Sequence, residues 1–111
     1  MTNTYNRNNA MILVNDYIKS AINFFDKKSQ DFILNNKYSI NEILFLIGYY
    51  NFDSELMILM NFDNIINYYK HVNIFYYAMI GALYKNNDNM IKMLENKGLD
   101  KSTYIDILQS Y

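Results

Sequence analysis

Cysteine, proline and tryptophan are absent from this sequence of 111 residues, which also holds only three glycines, one histidine and one arginine. Without cysteine there is no disulfide, no thiolate zinc site and no cysteine nucleophile. The lack of proline leaves helices uninterrupted and argues against none of them. The turn dipeptides that mark tight β-hairpins are missing too, and no run of polar/apolar alternation is long enough to support a sheet. Charge of one sign is also lacking: 10 basic and 11 acidic residues give a formal net charge of -1. Phosphate binding needs a basic face, so there is no strong case for nucleic acid, and an acidic DNA mimic is equally poorly served. Long apolar runs are missing as well. Met11–Val14 is too short for the core of a signal peptide. Ile43–Tyr50 and Ile74–Tyr84 fall below the roughly 18–20 residues that span a bilayer. The expectation is a soluble cytoplasmic protein with no membrane partner.

What is present is a chain 51% hydrophobic, with 12 Tyr, 7 Phe, 7 Met and 18 Asn. Such a chain is too apolar for disorder, and its length fits one domain, 1–111, burying roughly two-thirds of its unfolded surface. Asn, Lys, Tyr, Ile and Phe are written with A/T-rich codons, so the composition suggests an A/T-rich genome: a large DNA virus, a phage or a low-GC bacterium. The Asn residues are dispersed among apolar ones at helical spacing and form no low-complexity tract.

Apolar positions recur every three or four residues. Met11, Val14, Ile18, Ala21, Ile22 and Phe25 form a stripe for a helix over about 10–26. Ser29 is placed to cap a short helix, 30–36, and Ser39 with Glu42 forms a capping box opening 40–50. Asp53, Asp63, Asn73 and Asp88 are positioned to cap helices over 54–60, 64–71, 74–85 and 89–97. Gly98 stops the last of these, and Ser102 caps a final helix, 103–109. The expected fold class is all-α.

Shifted by 35 residues, the chain partly matches itself. Ile47–Asn61 lies over Ala82–Asn96, pairing Tyr49 with Tyr84, Asn51 with Asn86, Asp53 with Asp88, Leu59 with Leu94 and Asn61 with Asn96. Leu56/Ile91 and Ile58/Met93 are apolar exchanges. The repeat-like units are approximately 39–63 and 73–100. A period of this size, built on helical hairpins, suits a solenoid, because one hairpin cannot bury its own apolar face.

The second unit resembles a family. Ala82-x-x-x-Asn86-Asn87-x-x-Met90-Ile91-x-x-Leu94-Glu95-x-x-Gly98-Leu99-Asp100 is similar to the second half of an ankyrin repeat, A-x-x-x-G-[HN]-x-x-I-V-x-x-L-L-x-x-G-A-D. Ala82 would let paired helices approach, Met90, Ile91 and Leu94 would face the neighbouring repeat, and Gly98 would take a positive φ. The departures are equally specific. The T-P-L-H opening is absent, Glu95 stands where an apolar residue is usual, and 62–73 exceeds an ankyrin inter-repeat loop. The resemblance implies short helical hairpins stacked as a small, degenerate ankyrin-like solenoid. A three-helix armadillo or HEAT repeat and a compact helical bundle remain alternatives.

Chemistry-bearing motifs are scarce. His71 follows a lysine at a helix end and reads as a dipole partner. Asp53 and Glu55 read as first-turn acids, and Lys27, Lys28, Lys97 and Lys101 as solvated faces. No catalytic residue, metal ligand or cofactor is assigned. The tyrosine pairs Tyr49-Tyr50, Tyr68-Tyr69 and Tyr76-Tyr77 are the least bland feature, since neighbours on a helix point about 100° apart. Tyr50, Tyr69, Tyr77 and Tyr84 are therefore the candidate partner-binding residues. The expected function is a non-enzymatic protein–protein interaction module, of a size that suits a viral or phage protein interfering with a host protein. Alternatives are a self-assembling structural protein and an inhibitor of a nucleic-acid-processing complex.

Overall fold

The computed structural model describes residues 6–27, 40–63, 66, 75–100 and 102, and the side chains of all of these except 24–27. The fold is all-α: five helices and no strand lie among the described residues. They are α1 (Arg7–Lys27), α2 (Ile40–Tyr50), α3 (Asp53–Met60), α4 (Tyr76–Lys85) and α5 (Asp88–Asn96).

Helix α1 begins earlier than its apolar stripe suggests. Asn6 caps it, its side-chain oxygen accepting the Asn9 N–H at 2.8 Å, so three polar residues are drawn into the first turn. Its buried face is Ala10, Val14, Tyr17, Ile18 and Ala21. Relative to the stripe read from the sequence, that face is rotated toward Tyr17, and Ile22 lies at the solvent edge.

Helix α2 spans the predicted 40–50 and is the centre of the core. Ile40, Ile43, Leu44, Phe45, Leu46, Ile47 and Gly48 are all buried, so the middle of the helix is covered all round, while Glu42 is exposed and Tyr49 and Tyr50 are half-buried. It touches α1, α3 and, most extensively, α4.

Two hairpins follow, α2–α3 and α4–α5, and their turns are built alike. At the first, Asn51 takes φ 59°, and the Phe52 N–H reaches the Ile47 carbonyl at 2.9 Å. At the second, Asn86 takes φ 57°, and the Asn87 N–H reaches the Ala82 carbonyl at 2.9 Å. Asn tolerates the left-handed region because its short amide side chain bonds locally. Helix α5 ends on the same device with glycine: Gly98 sits at φ 99°, and Leu99 N–H returns to the Leu94 carbonyl at 3.2 Å.

The two first helices meet backbone to backbone. A methyl group on Gly48 would collide with the Ala78 carbonyl oxygen and lie 2.9 Å from the Ala82 nitrogen. One on Gly81 would collide with the Phe45 carbonyl oxygen and lie 2.8 Å from the Tyr49 nitrogen. Each glycine thus aims a Cα–H at a carbonyl of the other helix, a weak but recurrent helix-contact geometry. Asn87, just past the end of α4, donates its side-chain amide to the carbonyls of Gly48 and Tyr49 at 2.7 and 2.8 Å. The C-terminal ends of α2 and α4 therefore lie together, and the helices run in the same direction.

Several expected caps are corrected. Asp53 and Asp88 are the first residues of their helices, not caps; Phe52 and Asn87 precede them, and neither makes a side-chain cap bond. The Asn87 side chain is engaged across the helix pair instead. Helix α4 starts at Tyr76, after Phe75, two residues later than expected. Ser102 is itself helical and donates to Asp100, whose Oδ1 accepts its N–H and hydroxyl at 3.0 and 2.8 Å. Ser29, Ser39, Asn73 and the helices expected at 30–36 and 103–109 lie outside the described residues, as does nearly all of 64–71.

Candidate functional site

The glycine crossing determines where the aromatic residues go. Because Gly48 and Gly81 let the α2 and α4 backbones touch, Tyr49 and Tyr84, each near the end of its helix, come within 6.2 Å ring to ring. Phe45, one turn before Tyr49, contacts both, at 5.8 Å to Tyr49 and 6.4 Å to Tyr84. Tyr50 stands edge-on to Tyr49 at 4.9 Å and stacks on Phe52 at 5.7 Å. The result is one connected row, Phe52–Tyr50–Tyr49–Tyr84, backed by Phe45. Such ring pairs add to what area burial gives, and less at the 53% exposed Tyr84 than where the rings are desolvated.

One cation sits at the Phe52 end and another over the middle of the row. The Arg7 guanidinium lies 4.7 Å from the centre of the Phe52 ring, and the Lys85 ammonium 5.2 Å from that of Tyr49. Both are exposed and lie against ring faces. Acidic residues are near in the chain: Asp53 follows Phe52, and Asp88 follows Asn87, both exposed.

Burial grades the row from core to solvent. Phe52 is buried, Tyr49 and Tyr50 are half-buried, and Tyr84 is 53% exposed. Tyr84 is the only large aromatic among the exposed hydrophobic residues described. Of the four tyrosines read from the sequence, Tyr50 and Tyr84 share this patch. Tyr77 lies near the other end of α4, half-buried and edge-on to Tyr76 at 5.1 Å. Tyr69 and His71 lie outside the described residues, as do Lys28, Lys101 and the Lys27 side chain.

Sequence reasoning did not select Tyr49, Phe45, Phe52, Arg7 or Lys85. One signal was available: Phe45 and Tyr49 are four apart, the spacing that stacks rings on one helix face. The contact with Tyr84 had no local signal, since it depends on the crossing.

Other polar features are sparse. The side-chain oxygen of Asn51 is buried without a hydrogen-bond partner, the one such atom found among the described residues. Asp100 has its carboxyl held below the usual aspartate range by the two hydrogen bonds from Ser102. No group of three or more His, Cys, Asp or Glu residues poised for a metal ion occurs among the described residues. No described helix is long and apolar enough to cross a membrane. The chemistry this patch offers is ring stacking, tyrosine hydroxyl hydrogen bonds and two bordering cations. Comparison of the chain with family models, curated proteins and solved structures gives no match.

Proposed function

We propose that this chain is a non-enzymatic protein-binding module, ankyrin-like in its stacked hairpins, that docks a protein partner on the aromatic patch at the ends of α2 and α4. The observation that carries the reading is the 53% exposure of Tyr84 on a row of rings fixed by a backbone-tight helix crossing. A rigid tyrosine buries large area at little entropic cost and keeps a hydroxyl for a partner hydrogen bond. Tyr50 extends the patch, Lys85 and Arg7 border it, and Tyr77 lies near the other end of α4. The A/T-rich residue choice adds a host protein as the partner class, reached by a virus or phage.

The test is affinity capture from host lysate with the full chain and with Tyr84→Ala. The expected outcome is one stoichiometric protein whose affinity falls about 30-fold in the variant, the loss of roughly 2 kcal/mol typical of an interface anchor. No stoichiometric protein, or full retention by Tyr84→Ala, overturns the reading. A second reading, self-assembly, draws on Ile12, Met57 and Ile58, which are 59%, 40% and 47% exposed. Sedimentation decides it: a mass that grows with concentration supports it, and a constant monomer mass ends it.

A further inference from the structure

We draw no further inference here: the strongest candidate, the exposed apolar face of α3 at Met57 and Ile58, carries nothing because nothing in the structure shows whether a second copy or another chain covers it.

Discussion

Gly48 and Gly81 are the residues at which the smallest change has the largest consequence. Adding one methyl at either position drives it into a backbone carbonyl, which cannot rotate away as a side chain can. Gly48→Ala or Gly81→Ala is expected to cost about 3 kcal/mol, the upper end of ordinary overpacking, read by urea denaturation. A loss under about 0.5 kcal/mol would mean that the helices are not in backbone contact. The left-handed asparagines give a paired prediction. Asn51→Gly and Asn86→Gly both relieve φ near 60°, but only Asn51 also holds a buried, unsatisfied oxygen. Asn51→Gly should therefore stabilise by about 1 kcal/mol more than Asn86→Gly, the approximate cost of that orphaned group. Equal effects in thermal or urea unfolding would contradict the burial of its carbonyl. Asp100 supplies a pH prediction. Its folded pKa lies below the unfolded one, so its contribution is present above the unfolded value and is lost as pH falls through the folded value. An NMR titration should show its carboxyl protonating at lower pH than in Ser102→Ala, which keeps only the backbone donor, and coincident curves would remove the Ser102 hydroxyl bond from the account.

At the scale of elements, Asn87 joins one hairpin to the other. Its amide donors satisfy two carbonyls at the end of α2, where helices leave acceptors without partners. Asn87→Ala is expected to lose about 1–2 kcal/mol. If Ala were tolerated with no measurable loss in chemical denaturation, the bridge would be wrong. Much at this scale was legible in the sequence. The extent of α2 followed from the Ser39/Glu42 capping box and the apolar run it opens, and that of α5, to within one residue at each end, from Asp88 and Gly98, all local signals. The Asn51/Asn86 pairing marked two turns that are indeed built alike. The start of α1 was not legible by periodicity, because Asn6 to Asn9 carries no apolar residue and only the Asn6 cap explains it. The glycine contact was hidden for a different reason. The self-match pairs residues 35 apart, and Tyr49 and Tyr84, which meet ring to ring, are such a pair. Gly48 and Gly81 are 33 apart, and only the assembled helix pair reveals that they meet.

For the molecule as a whole, fold stability and partner docking rest on different residues, and the account predicts that they separate. Tyr84→Ala removes an exposed ring and should leave the unfolding free energy within about 0.5–1 kcal/mol of the original while weakening capture of the partner. Gly81→Ala should impair both, since it displaces the helix that carries Tyr84. The most direct test of the arrangement is the pattern of nuclear Overhauser effects in a labelled sample of the full chain. The account predicts cross-peaks from the Gly81 α-protons to the Tyr49 amide, from the Gly48 α-protons to the Ala82 amide, and between the Tyr49 and Tyr84 rings. A spectrum in which Gly48 and Gly81 see only their own helices, and the two tyrosine rings see different neighbours, would contradict it.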